Sequence, residues 1–312
     1  MANEVVSSMG LPVGEVLNIK KIEFKPQKEH EDGKRLCIVT GIHGDELEGQ
    51  YIVYKLISRI KQQKEKLTGF LDIYPCANPL GVEAIERGVP TFDLDMNSCF
   101  PGNLGGDMME HIAAEMIDDI MGTDLCIDLH SSNIFIREIP QVRLSEKNIN
   151  LLKYGQKLNV DFIWAYESPT VLKSTLVHSL NNLGVPALAL EMGVGMRITQ
   201  EYGDQIVDGI FCLMKEMNIW EGETIVPRDP IISRDGEVEY IHAGVSGVFL
   251  PKVGHCHTIE EGNLIGEIVN PYTGKVEEVI KAPCNGLVFS LREYPIVYEG
   301  SLIARVLGGI KS

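Results

Sequence analysis

LCIVTGIHGDELEG, residues 36–49, holds the reading of the fold. Its first half, Leu36–Ile42, is a short apolar run of the buried-strand type. From Leu47 the text changes period: LEGQYIVYKLISRIKQQKEK, to Lys66, sets its apolar residues near helical spacing. Strand, tight turn and helix in so few residues start an α/β unit, and the chain beyond Lys66 repeats the alternation. Phe70–Cys76 (FLDIYPC) reads as the next strand, 106–122 as a helix around MMEHIAAEMIDDIM, and Asp124–Leu129 (DLCIDL) as another buried strand. Helices over Ile149–Leu158 and Thr175–Leu183 precede the strand Pro186–Leu190 (PALAL), and Asp204–Met217 forms a last helix. Strands separated by helices predict one sheet covered on both faces.

From about Glu223 the texture changes. Pro227, Pro230, Pro251, Pro271, Pro283 and Pro295 punctuate short Val/Ile-rich runs such as GVSGVFL, LIGEIVN, GLVFSL and SLIARV. That is the signature of a compact all-β unit. The expected division is residues 1–224 and 225–312. A length of 312 residues suits one main domain with a smaller appendage.

Composition narrows the partners. A formal charge of −16 argues against nucleic acid or an anionic membrane surface, since both demand clustered Lys and Arg. No stretch reaches the roughly 18 uninterrupted apolar residues of a membrane span, and the N-terminal text lacks a basic segment leading into an apolar one. Seven cysteines without CxxC spacing fit reduced thiols. The expectation is a cytoplasmic protein acting on a small molecule and assembling as a homo-oligomer.

Three of the predicted strands run at their carboxyl edge into residues able to bind a metal or move a proton: His43, His130 and Glu191. Ligands of open α/β sheets bind outside those strand ends. His43 and Glu46 lie three apart where strand gives way to helix, so one turn can aim imidazole and carboxylate at a common point. With His130 they make His₂Glu, a set used by catalytic zinc that leaves a fourth position for water. Glu191 is then placed to carry a proton from water to a leaving amine. Asp128, two residues before His130, shares its strand face and is a candidate partner for that imidazole. An HxxE pair by itself is a weak signal; the coincidence at three strand ends is what gives it weight.

GIHGDELEG, NPLGVEAIERG, DLDMNSCFPG, DLHSS and LALEMG, in this order and spacing, resemble the succinylglutamate desuccinylase/aspartoacylase family, related to the zinc carboxypeptidases of M14 type. The resemblance spans the whole chain, β unit included. It implies a carboxypeptidase-like mixed sheet and a deacylase that cleaves an N-acyl group from an amino acid or related small amine. It implies one Zn²⁺ per chain on His43, Glu46 and His130, Glu191 as general acid/base, Arg87 polarising the scissile carbonyl, and Asn97 binding substrate. One position departs. The family usually has arginine after that asparagine, clamping a substrate carboxylate; here it is Ser98. Arg137 and Arg143 are the nearest replacements, and Arg143 is favoured because its PQxR context resembles that of bacterial members.

Other features read as structural. His111 and His178 are taken as packed or surface histidines. His255 and His257, in KVGHCHT, are expected at alternating positions of a strand-like surface segment, with Cys256 opposite. A metallocarboxypeptidase is the nearest rival reading, weakened by the loss of arginine at Ser98. A lipoyl-like binding module is the other, weakened because Lys252 and Lys281 lack the hairpin context of a carrier lysine.

Overall fold

The computed structural model describes residues 2–27, 33–90, 92–166, 174–234 and 237–308. The first part of the chain alternates strands and helices: β1 (Ala2–Gly10), β2 (Val16–Phe24), β3 (Arg35–Thr40), α1 (Glu48–Gln62), β4 (Phe70–Tyr74), α2 (Pro79–Ala84), α3 (Met108–Ile120), β5 (Leu125–Ser131), β6 (Ile136–Ser145), α4 (Leu152–Gly155), β7 (Phe162–Tyr166), α5 (Leu176–Asn182), β8 (Ala187–Gly193) and α6 (Gln200–Glu216). Then come β9 (Ile231–Arg234), β10 (Val238–His242), β11 (Gly247–Pro251), β12 (His257–Ile259), β13 (Leu264–Asn270), β14 (Lys275–Lys281), β15 (Gly286–Arg292), β16 (Ile296–Val297) and β17 (Leu302–Gly308). This is the expected α/β fold, a mixed sheet with helices on both faces followed by antiparallel β structure.

The sheet runs β1-β2-β4-β3-β5-β8-β6-β15-β17-β10. Its centre, β4-β3-β5-β8, is parallel, and β5 is buried along its whole length. Parallel strands need cover on both faces, which explains their unbroken apolar runs. On one face α1 and α6 bury Ile52, Leu56, Ile60, Ile206, Ile210 and Phe211 against the sheet. Each such side chain contributes about 1.5–3 kcal/mol of transfer free energy. Arg59 and Asp208 fasten the two helices together at 2.8 Å. On the other face α3 and α5 bury Ile112, Met116, Leu176 and Leu180. A capping box starts α3: Asp107 accepts from the amides of Met109 and Glu110, and Glu110 reaches back to the Asp107 amide.

Several boundaries differ from the sequence expectation. The strand predicted over Leu36–Ile42 stops at Thr40, because Gly41 takes φ +68° and turns the chain. The helix expected over Ile149–Leu158 is a 3₁₀ segment, Glu146–Leu151, followed by the single turn α4. β1, β2, β6 and β7 carry no clear period in the text. Hydrogen bonding also passes across the boundary expected at 224/225: β9 pairs with β7, and β15 pairs with β6 through Ser290↔Glu138, Leu291↔Arg137 and Arg292↔Ile136. β10, β12 and β17 also join the large sheet, and β14, β13, β11 and β16 form a second one in the order β14-β13-β11-β16.

Candidate metal centre and active site

β3 leads to β4 on one side of the sheet and to β5 on the other, so the strand order reverses there. Crevices form at such points, at the carboxyl ends of the strands. His43 and Glu46 sit in the loop between β3 and α1, and His130 near the end of β5. Ligand atoms of the three lie within 4.8 Å of one another, and all three residues are buried.

The carboxylate of Glu46 is the hub. His43 Nδ1 lies 2.7 Å from Oε1 and His130 Nδ1 lies 3.0 Å from Oε2. The backbone amide of Ser131 donates to Oε2 at 2.9 Å, and Arg87 Nη1 donates to Oε1 at 2.7 Å. The far nitrogen of each imidazole faces an aspartate, His130 Nε2 at 2.8 Å from Asp128 and His43 Nε2 at 3.1 Å from Asp95, with Arg87 Nη2 also 3.1 Å from His43 Nε2. Carboxylates behind imidazoles fix the ring orientation and tautomer that a metal requires. The contact expected for Asp128 is therefore present. Asp95 carries no signal of its own in the sequence, although it stands two positions before Asn97 in the same DLDMN motif.

Burial opposes charge on Glu46, but the neighbouring His130 and His43 outweigh it and hold its carboxyl well below the usual range. Burial likewise pushes the imidazoles down, while Asp95 and Glu46 raise His43 and Asp128 and Glu46 raise His130 well above the ordinary value. Two imidazole nitrogens and an ionised carboxylate, held on second partners and shut from solvent, fit a divalent ion of the zinc type.

Glu191 lies inside β8, directly across from His130 in the β5–β8 register. Both residues were expected at strand ends; instead the strands continue past them, to Ser131 and Gly193. Burial raises the Glu191 carboxyl, opposed by Arg143 and His130 and assisted by Glu138 and Glu46. Arg143 Nη1 is 3.3 Å from Glu191 Oε1, and its Nη2 donates to Glu138 Oε2 at 2.7 Å. Arg137 is directed elsewhere: its Nε and Nη2 pair with Glu293 at 3.2 Å, and its Nη1 donates to Thr199 at 3.1 Å. Asn97 Oδ1 accepts from the amide of Leu176 at 3.0 Å, tying its loop to the start of α5. Ser98 is exposed and donates to the carbonyl of Asp95 at 2.6 Å.

The H-C-H triplet lies apart from this centre. His255 and Cys256 form a turn, Cys256 with φ +62°, so the expected strand alternation is absent and β12 begins only at His257. His255 meets Tyr202 edge-on at 6.0 Å. Among the described residues, His43, Glu46 and His130 are the group that closes enough to hold an ion.

Over 292 residues the chain is 25% identical to the N-alpha-acetyl-L-2,4-diaminobutyric acid deacetylase of Halomonas elongata, covering 90% of this chain and 84% of that one. The product-bound ectoine utilization protein EutE (DoeB) of Ruegeria pomeroyi superimposes with a TM-score of 0.81 at 18% identity, over 96% of this chain and 92% of that one. A succinylglutamate desuccinylase/aspartoacylase of Rhodobacter sphaeroides gives 0.79 at 19% identity, over 99% and 96%. Residues 32–217 match the model of the succinylglutamate desuccinylase/aspartoacylase catalytic domain. The chain belongs to the succinylglutamate desuccinylase/aspartoacylase family.

Proposed function

We propose that this protein is a zinc-dependent amidohydrolase that removes an N-acyl group, acetyl being the first candidate, from an amino acid or related small amine. The observation that carries the reading is the buried meeting of His43, Glu46 and His130, with Glu191 across the strand pair from His130. Membership of a deacylase family and the deacetylase named among the relatives support it.

His43, Glu46 and His130 would hold the ion. When bound, it supplies a Lewis acid that brings water towards ionisation at neutral pH and polarises the acyl carbonyl. Glu191 takes a proton from the water that attacks the acyl carbon. As the C–N bond breaks, it gives that proton to the departing nitrogen, so a carboxylate and an amine leave. Burial raises its pKa, which favours the protonated form that acts as the acid. Arg87 offers a permanently charged donor to the oxygen that gains negative charge, and Asn97 orients the substrate.

With serine at position 98, the substrate carboxylate falls to Arg143, whose guanidinium borders Glu191. Arg137, already spanning Glu293 and Thr199, shapes the rim. Residues 1–224 form the catalytic unit and 225–312 the β unit, in a cytoplasmic homo-oligomer.

The test is a screen of N-acetylated and N-succinylated amino acids and diamines with zinc-loaded enzyme, beside Glu191→Ala. Release of free amine that is abolished in the variant is the expected result. Undiminished turnover in Glu191→Ala removes Glu191 as proton carrier, and preferential release of C-terminal residues from unblocked peptides replaces the deacylase with a carboxypeptidase.

A further inference from the structure

Arg143 is held from behind by a carboxylate that the C-terminal strands reach. In a regular strand Glu138 and Arg143, five apart, would face opposite sides of the sheet. The β6–β8 register slips between Glu138↔Gly193 and Gln141↔Glu191, three residues answering two. Pro140 sits in this bulge, where its missing N–H costs no ladder bond. The slip turns Glu138 and Arg143 to one side, where their side chains meet at 2.7 Å.

Glu138 is 1% exposed, so both its carboxylate oxygens require partners. Oε2 takes Arg143, and Oε1 takes Arg305 Nη1 from β17. The route across the sheet is visible in the register: Arg305 pairs with Ser290 on β15, and Ser290 pairs with Glu138 on β6. Ser290 is fully buried and small, leaving space for the arginine to cross above it. Charge then alternates from Arg305 through Glu138 and Arg143 to Glu191. Trp164 forms a common wall, with the Arg143 guanidinium 5.9 Å and the Arg305 guanidinium 6.0 Å from its ring.

We propose that Arg305 is a positioning residue for Arg143, acting through Glu138, so that the C-terminal strands set how the catalytic unit grips its substrate. By taking Glu138 Oε1, Arg305 leaves only one oxygen to Arg143, which keeps its other nitrogen on the pocket side beside Glu191. Without Arg305 the whole buried carboxylate falls to Arg143 and draws it into a two-pronged pair, away from Glu191 and from any substrate anion. The proposal rests on the reading that Arg143 holds the substrate carboxylate.

The experiment compares zinc-loaded wild type, R305M, R305Q, R305K, E138Q and R305M/E138Q on N-acetyl-L-2,4-diaminobutyrate, with a crystal structure of R305Q. R305M and R305Q are expected to raise KM about tenfold with kcat nearly unchanged, the mark of lost uniform binding. R305K restores most of the affinity, and the double variant is no worse than E138Q, because one pathway is cut twice. Should R305M not fold, R305Q decides on the same criterion. An unchanged KM, a fall confined to kcat, or additive losses overturn the proposal. If wild type hydrolyses no acylated amine, the deacylase reading fails by itself, and the crystal structure still decides: Arg143 moved from Glu191 onto both oxygens of Glu138 supports the relay, and Arg143 left in place sinks it.

Discussion

Asp128 Oδ2 stands 2.8 Å from His130 Nε2, on the side of the ring away from Glu46. The aspartate is 1% exposed, so bulk solvent does not reach this contact. It fixes which ring nitrogen is left as an electron-pair donor. Asp128→Asn should therefore weaken metal binding about 10–100-fold while leaving the fold intact. Competition with a zinc chelator measures it, and an unchanged dissociation constant would show that Glu46 and Ser131 orient His130 without help.

Arg143 touches Glu191 and Glu138, whereas Arg197, also close to Glu191 in sequence, is exposed. Arg143→Ala should lower kcat/KM about 100-fold, the size of a lost charge-assisted bond to the substrate carboxylate. Arg197→Ala should change it by no more than about threefold. Steady-state kinetics of the two side by side make the comparison, and equal small losses remove Arg143 from the substrate site.

A methyl at Gly44 would lie 2.0 Å from the carbonyl carbon of Gly81, a backbone atom that no rotamer change can move. The Gly44 amide also donates to the Arg87 carbonyl at 3.1 Å, so this contact seats the metal loop against the loop carrying Arg87. Gly44→Ala should cost about 1–3 kcal/mol by overpacking. Its zinc affinity should fall with it, because His43 and Glu46 flank the displaced residue. Urea unfolding of the metal-free protein separates the two effects from each other; an unaltered midpoint contradicts the packing argument.

Lys21, 3% exposed on β2, bonds both carboxylate oxygens of Asp119 at 2.7 and 2.9 Å and stands 3.3 Å from Glu4. Burial disfavours its charge, but the Asp119 bond and the charges of Asp72, Asp119 and Glu4 prevail and raise its pKa above 10.5. A raised folded-state value means that the charged lysine stabilises the fold fully below 10.5, and that this stability is lost as pH climbs through the folded value. Wild type should thus lose melting temperature above about pH 10.5. Lys21→Met should be about 1–3 kcal/mol weaker at neutral pH, where Asp119 loses its charged partner and keeps only the Tyr74 hydroxyl, and should show a shallower alkaline decline. Thermal melts across pH 7 to 12 read this, and parallel curves would refute it.

The parts of the site legible in the text are those written locally. His43 and Glu46 share one turn, and Asp128 and His130 share one strand face, so spacing alone predicts that each pair can meet. Arg305 was not legible, since 167 residues separate it from Glu138 and only the β6-β15-β17 register joins them. β6 was hidden because its bulge and Pro140 destroy the alternation by which a strand is recognised. β2 was hidden for another reason: Leu17, Ile19 and Lys21 line one buried face, and a lysine there reads as a surface residue. The central parallel strands β4, β3, β5 and β8 were plain because burial on both faces leaves unbroken apolar runs in the sequence.

The pairing of β15 with β6 carries the large sheet across the boundary near residue 224. A fragment ending near residue 224 would bare the amides and carbonyls of Ile136–Glu138 along an open edge. It would also strip Glu138 of one of its two cations. Grafting the C-terminal region of a relative onto this catalytic half would need to preserve both the strand register and the arginine it delivers. In this architecture the two regions are exchangeable only as a matched set.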